Sequence, residues 1–296
     1  MKEEIKLAIA DIVISIQWED SKILEWPHPL YEDFITDRDP QISLNITFMD
    51  LPEHSSQLLF EGKDEGYWRL FQNNQDYVIE TYNSLSKKKN KVCFIDSNFR
   101  EGQVYMDPQF KKSHDFKKKP EKLPSWSFPF FMQPLVELLL VNVLADEAGI
   151  MAHGLGIEDQ GQGIAFMGQS GAGKSTMARL WEDVENVNIL SDEHIIIRNI
   201  EGQFWLYGTP WPGMAAVASS KKVPLKKIYF IEHAPENRIL DSAAPGNLMP
   251  LLYLPFWDKK RLSHVLSFCH NLFDSIEWSK LGFVKDRSVV EFIRKQ

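Results

Sequence analysis

The first hundred residues alternate apolar and polar positions with the period of a β-strand. Ile42, Leu44, Ile46 and Phe48 are each separated by one polar residue, which is typical of a strand with one buried face. Turn-forming residues at 73–76 and at 98–102 each separate two apolar runs and predict hairpins. These patterns predict a small sheet of roughly six short strands without a convincing helix.

Beyond residue 130 the pattern changes to helices mixed with strands. Pro134 is suited to the first turn of a strongly apolar helical segment over 135–148. Asp286 can cap a last helix that ends near residue 295. Other segments predict buried strands at 163–168, 187–190 and 227–232, a hairpin at 194–207, and helices at 174–182 and 258–273. Strands mixed with helices predict an α/β domain with one main sheet.

Charge divides the chain into three parts. Residues 1–107 carry a net charge of −9, residues 108–124 carry +4, and residues 125–296 carry −3. The middle part is rich in lysine and proline and has little periodicity, which indicates a solvated connector; the alternative is a docking strip for an acidic partner. We therefore predict a β-rich N-terminal domain over 1–107, a connector over 108–124 and a second domain over 125–296.

Composition excludes several classes of protein. With 44% hydrophobic and 25% charged residues, the chain is ordinary for a globular protein. The net charge of −8 argues against nucleic acid or an anionic membrane as a partner. Two cysteines do not make a disulfide framework. The N-terminus lacks signal-peptide architecture, and the longest apolar stretch is too short to span a bilayer. We expect a cytoplasmic protein.

Residues 168–176 read Gly-Gln-Ser-Gly-Ala-Gly-Lys-Ser-Thr and match the pattern of a phosphate-binding loop, with an apolar strand before it and a helix after it. Glycines let successive backbone N–H groups turn toward one small volume, and the helix N-terminus adds partial positive charge. Lys174 can reach the β- and γ-phosphates, and Ser175 offers a hydroxyl to Mg²⁺. The predicted nucleotide-binding residues are Gly168, Ser170, Gly171, Ala172, Gly173, Lys174, Ser175 and Thr176.

Two adjacent acids follow the next apolar strand. Asp192 and Glu193 lie where a protein with a phosphate loop often places carboxylates, one for Mg²⁺ and one to accept a proton. His153 lies fifteen positions before Gly168 on the preceding predicted strand. It is either a core histidine or a group near the γ-phosphate.

These residues resemble the catalytic domain of HPr kinase/phosphorylase. The likeness rests on His153-Gly154, the 168–176 loop and Ser191-Asp192-Glu193, and it covers about residues 130–296. The chain is also similar to divergent bacterial relatives of that family, among them the peptide serine kinases of lasso-peptide gene clusters. It departs from them at Glu193, where the family usually has aspartate, and at Met214, where relatives often carry glutamate.

The resemblance implies a fold, an activity and residue roles. The fold would be an α/β P-loop kinase domain of the HPr kinase/phosphoenolpyruvate carboxykinase type after a smaller β-rich domain. The activity would be transfer of the γ-phosphate of ATP, with Mg²⁺, to a hydroxyl, chiefly serine of a peptide or protein. Asp192 would be the general base, Glu193 would help to hold Mg²⁺ with Ser175, and His153 would line the γ-phosphate beside Lys174. The alternatives are a small-molecule kinase of the same fold and a nucleotide-binding regulatory module that transfers no phosphate. The resemblance allows a homo-oligomer without giving its size.

Overall fold

The computed structural model describes residues 3–19, 29–62, 67–83, 86–108, 132–242 and 245–296. The chain divides into two compact units, Met1–Val143 and Leu144–Gln296. The predicted connector 108–124 lies outside the described residues except for its first residue.

The first unit contains an eight-stranded sheet. Its strands are β1 (Glu3–Ile9), β2 (Ile12–Trp18), β3 (Ile42–Phe48), β4 (Gln57–Gly62), β5 (Trp68–Asn73), β6 (Asp76–Tyr82), β7 (Lys89–Ile95) and β8 (Glu101–Met106). The strand order is β1-β2-β3-β8-β7-β6-β5-β4. Strand β3 lies in parallel pairs with β2 and β8, and the other neighbours pair antiparallel.

The strand predicted from alternation and both predicted hairpins are confirmed. In β3 the residues Ile42, Leu44 and Ile46 are buried while the positions between them are not fully buried. The two hairpins join β5 to β6 and β7 to β8. The structure has more strands than the pattern predicted, because β1 and β2 form a further hairpin in which nearly every residue of β2 is buried. A strand buried on both faces does not alternate.

A lysine is buried in this unit. Lys91 on β7 is 2% exposed, and its Nζ donates a hydrogen bond to the carbonyl oxygen of Gln133 at 3.0 Å. The amide of Gln133 in turn donates to Oε1 of Glu137 at 2.7 Å. Burial lowers the pKa of Lys91 to about 7, although the charge of Glu137 acts in the opposite direction.

This burial predicts an unusual dependence of stability on pH. The folded chain releases the proton of Lys91 near pH 7, whereas an exposed lysine has a pKa of 10.5. Between these pH values the unfolded chain binds more protons than the folded chain, so the free energy of unfolding rises with pH, by up to about 1.4 kcal/mol per pH unit from this group.

Lys91→Met should remove this rise of stability with pH, while Lys88→Met, a substitution at an exposed position, should keep it. Urea unfolding of the three proteins from about pH 7 to about pH 9.5 measures it. Identical slopes for wild type and Lys91→Met would contradict the prediction.

The second unit contains another eight-stranded sheet. Its strands are β9 (Gly149–Asp159), β10 (Gln162–Met167), β11 (Val187–Ser191), β12 (His194–Ile200), β13 (Gln203–Tyr207), β14 (Lys222–His233), β15 (Arg238–Ser242) and β16 (Glu277–Phe283). The long strands β9 and β14 each pair with several neighbours. Along one path the order is β10-β9-β12-β13-β14-β16-β15; β11 also pairs with β9, and β10 pairs directly with β14.

Three strands of this sheet run parallel, and their carboxyl ends meet at one edge. Strand β10 pairs parallel with β14, and β14 pairs parallel with β16. The remaining pairs are antiparallel. Apolar clusters cover both faces of the sheet, which explains why residues 164–167 of β10 and 228–231 of β14 are continuous apolar runs rather than alternating ones.

Five α-helices accompany the two sheets in the described residues: α1 (Pro29–Glu32), α2 (Leu135–Asp146), α3 (Lys174–Trp181), α4 (Lys259–Ser275) and α5 (Ser288–Arg294). The predicted helices at 135–148, 174–182 and 258–273 are confirmed within a few residues. Asp258 caps α4 by accepting hydrogen bonds from the backbone N–H of Lys260 and Arg261. None of the helices in the described part of the chain has the length and apolar character needed to cross a bilayer.

The predicted fold class is wrong. We expected an α/β P-loop kinase domain of the HPr kinase/phosphoenolpyruvate carboxykinase type after a smaller β-rich domain. Of the residues that the structure describes, 45% lie in strands and 21% in helices, in two large mixed sheets with few helices. A compact α/β domain needs a helical crossover between successive parallel strands. Here β9–β10 and β12–β13 are antiparallel pairs of consecutive strands, so the motifs that carried the resemblance did not determine the architecture around them.

Candidate functional site

The 168–176 loop connects the end of β10 to the start of α3. Gly171 and Gly173 have φ values of +85° and +106°, which is a region of backbone space where glycine is favoured. A Cβ on Gly168 would lie 2.6 Å from the Cβ of Ala172, so the loop closes tightly on itself. Ser170 is exposed, and Ser175 and Thr176 are half-buried in the first turn of α3. Gly171 and Gly173 therefore adopt left-handed backbone angles of the kind found in anion-binding nests of backbone N–H groups.

Lys174 is folded onto the loop. Its Nζ donates hydrogen bonds to the carbonyl oxygens of Gly168 at 2.8 Å and Gln169 at 3.4 Å, and the residue is 7% exposed. Burial lowers the pKa of Lys174, and the negative charge of Glu193 opposes that change. The amine is thus held by neutral carbonyl oxygens within electrostatic reach of one of the two predicted acids.

Strand β9 brings the predicted histidine and acids to the loop. Gly154 on β9 pairs with Met167, the last residue of β10, and its N–H donates to the carbonyl oxygen of Glu193 at 2.9 Å. Glu193 lies between β11 and β12, which both pair with β9. A Cβ on Gly154 would lie 2.8 Å from the sulfur of Met167, so glycine permits this close approach. The pairing therefore places His153 and Glu193 beside the residue that starts the loop.

The side chains of His153 and Glu193 form a pair. The Nδ1 atom of His153 lies 3.2 Å from Oε1 of Glu193, and both side chains are partly exposed, at 22% and 33%. A carboxylate at this distance favours the tautomer with the proton on Nδ1, in which Nε2 is the nitrogen that can accept a proton. Such a carboxylate–imidazole pair is a common acid–base unit in enzymes.

Asp192 has a different environment from Glu193. It is 1% exposed, and its two carboxylate oxygens accept hydrogen bonds from the backbone N–H groups of Gly213, at 2.8 Å, and Ala215, at 2.7 Å. A Cβ on Gly213 would lie 2.7 Å from Oε2 of Glu193 and 2.9 Å from Oδ2 of Asp192. Asp192 therefore anchors the 213–215 segment against the acids, a role that the sequence did not predict.

The segment around Trp211 is only partly exposed. Trp211 is 4% exposed, whereas Met214, between the two residues that Asp192 holds, is 84% exposed. His194, the residue after Glu193, lies under Trp211 with its Nδ1 3.4 Å from the Trp211 carbonyl oxygen. Its Nε2 lies 2.7 Å from the hydroxyl of Tyr253. The sequence patterns did not identify His194 or Tyr253 as site residues. The one available signal was that His194 directly follows the two acids.

The donor set suits a metal ion that shares its ligands with phosphate. Among the described residues, no group of three or more His, Cys, Asp or Glu side chains is placed to hold a metal ion. Mg²⁺ commonly takes one or two protein oxygens and completes its shell with phosphate oxygens and water. The hydroxyl of Ser175 and the carboxylate of Glu193 are oxygen donors of that kind, so the residues present fit Mg²⁺ bound together with a nucleotide.

Two comparisons with known proteins found no relative of the chain. No protein-family model matches the chain, and no curated protein matches it either. The relationship to HPr kinase/phosphorylase therefore stays a prediction that rests on the motifs alone.

Proposed function

We propose that this protein binds ATP with Mg²⁺ and transfers the γ-phosphate to the hydroxyl of a serine in a peptide or protein. The observation that carries the proposal is the position of Lys174, Glu193 and His153 around the 168–176 loop. The loop supplies backbone donors, Lys174 supplies a positive charge, and the His153–Glu193 pair supplies a proton acceptor on the flank formed by β9. The acceptor class comes from the resemblance to peptide serine kinases.

The loop would bind the phosphates by exchanging neutral partners of Lys174 for charged ones. In its present position the amine donates to two carbonyl oxygens. Hydrogen bonds between an ammonium group and phosphate oxygens are roughly twice as strong as neutral ones. The ammonium would also oppose the charge that builds up on the transferred group. Ser175 and Glu193 would hold Mg²⁺, which would neutralise further phosphate charge.

The acceptor hydroxyl would give its proton to Nε2 of His153. Glu193 would hold the imidazole in the required tautomer through Nδ1 and stabilise the imidazolium once it forms. We assign this role to the His153–Glu193 pair rather than to Asp192, since both Asp192 oxygens already accept backbone hydrogen bonds. Asp192 would instead keep the 213–215 segment in contact with the acids.

A transfer assay tests the function. The full-length protein is incubated with γ-labelled ATP and Mg²⁺ together with a pool of synthetic serine peptides, and in parallel with a pool of sugars and nucleosides. We expect label on the peptides and none with Lys174→Ala. Label on the second pool alone would instead identify a small-molecule kinase. Binding of ATP without transfer to either pool or to water would contradict the catalytic proposal and identify a nucleotide-binding regulatory module.

A further inference from the structure

The side of the 168–176 loop formed by β14 has no role in the proposed phosphate transfer. Strand β10 has β9 on one side, with His153 and the acids, and β14 on the other. Strand β14 continues past the end of β10 to His233, which pairs with Phe283 at the end of β16. Because the three strands are parallel, the loop, His233 and Phe283 lie at the same edge of the sheet.

His233 and Phe283 touch the loop directly. A Cβ on Gly173 would lie 2.6 Å from Cε1 of His233 and 2.7 Å from Cζ of Phe283. The two aromatic rings have centroids 4.9 Å apart at an angle of 45°. Phe283 is fully buried, whereas His233 is exposed. The exposed ring of His233 thus contacts the buried ring of Phe283 beside Gly173, the residue that precedes α3.

The imidazole of His233 has no hydrogen bond to any residue that the structure describes. Partial desolvation of the ring, on the side that contacts Phe283, lowers its pKa, and the positive charge of Lys285 lowers it further, which favours a neutral ring at neutral pH. Beside the ring, Lys285 therefore provides a positive charge, and His233 itself provides an uncharged aromatic face.

The two segments that carry these residues are tied together. Oδ1 of Asn237 accepts a hydrogen bond from the backbone N–H of Val284 at 2.8 Å, and Nδ2 of Asn237 donates to the hydroxyl of Ser288 at 2.7 Å. These bonds join the turn after His233 to the segment that contains Lys285. Strand pairing therefore holds the His233 ring next to the loop, and the Asn237 contacts hold the segment with Lys285 near that ring.

We propose that His233, Phe283 and Lys285 form the site for the nucleoside half of the nucleotide, a deepening that rests on the proposed function. The base stacks on the exposed face of His233, with Phe283 as the support of that ring, and Lys285 attracts the phosphate nearest the ribose. This arrangement leaves the β9 flank, with His153 and Glu193, open for the acceptor hydroxyl. Stacking acts on any base because each has a flat face, so adenine and guanine nucleotides should bind with similar affinity.

The test measures the contribution of the nucleoside to binding separately from that of the phosphates. Isothermal titration of the full-length protein with ATP, GTP and inorganic tripolyphosphate, each with Mg²⁺, gives three dissociation constants. His233→Ala should weaken ATP and GTP about fivefold to a hundredfold, the range for loss of one stacked base, and leave tripolyphosphate within about twofold. His233→Phe should restore most of the affinity because it keeps a flat ring. His270→Ala, an exposed histidine on α4, should change none of the three constants.

Two sets of results overturn the inference. If wild type binds tripolyphosphate as tightly as ATP, or if His233→Ala leaves the affinity for ATP unchanged, the nucleoside does not use this site. If His233→Ala weakens ATP and tripolyphosphate equally, His233 acts on the loop and not on the base. A wild-type protein that binds neither ligand contradicts the proposed function itself, and the nucleoside site with it.

Discussion

Glu193→Gln is expected to lower the rate of phosphoryl transfer about 10²- to 10⁴-fold, the usual contribution of a general acid or base. The amide keeps the size of the side chain but removes the charge that stabilises protonated His153, 3.2 Å away. The dissociation constant for ATP with Mg²⁺ should change far less than the rate, because the amide oxygen of glutamine can still bind Mg²⁺. Single-turnover label transfer measures the rate, and isothermal titration measures the dissociation constant. Loss of ATP binding in proportion to the loss of transfer would place Glu193 in nucleotide binding alone.

The matched comparison is Asp192→Asn. An amide nitrogen cannot accept an N–H, so this variant should lose one of the two hydrogen bonds from Gly213 and Ala215. Loss of one bond to a buried acceptor costs about 1–3 kcal/mol, and we expect a lower melting temperature. If Asp192→Asn instead keeps the wild-type melting temperature and abolishes transfer, Asp192 is the proton acceptor and our assignment to the His153–Glu193 pair is wrong.

Lys174→Ala is expected to weaken ATP binding at least about a hundredfold, because it removes a charge-assisted contact to the phosphates that is worth about 1.5–3 kcal/mol together with long-range attraction. The melting temperature should change little, because two effects oppose each other. Burial lowers the pKa of the ammonium and so opposes folding, whereas removing Lys174 takes a donor from two carbonyl oxygens.

Lys260→Ala is the control for this change, since Lys260 is exposed on α4 and should affect neither quantity. Titration with ATP and Mg²⁺ and a thermal melt, both without acceptor, measure the two properties. Wild-type affinity in a normally folded Lys174→Ala protein would contradict the assignment of the 168–176 loop as the phosphate site.

Sequence patterns predicted secondary structure correctly where that structure depends on residues close together in the chain. Strand β3 follows from alternating residues such as Ile42 and Leu44, and α4 begins where Asp258 can cap it. The 168–176 loop follows in the same way. Its glycines adopt left-handed backbone angles at Gly171 and Gly173, and these angles depend on the residue type and its neighbours.

The fold class was not predictable from the same signals. A phosphate-loop motif describes one strand, one turn and one helix start, and says little about which strands lie beside them. Here β3 pairs with β8, more than fifty residues further on, and β10 pairs with β14. Apolar runs of similar composition fit parallel and antiparallel neighbours alike, because the pairing depends on the backbone and on the whole packed core.

The candidate site shows the same division between local and long-range causes. The sequence by itself determined the loop, the lysine and the presence of two adjacent acids after a strand. Only the tertiary structure decided that Glu193 faces His153 while Asp192 holds Gly213 and Ala215, and that His233 touches Gly173 across sixty residues of chain. Backbone shape is set by neighbours in the sequence, whereas the partner of a side chain is set by which strands pair, and strand pairing joins distant parts of the chain.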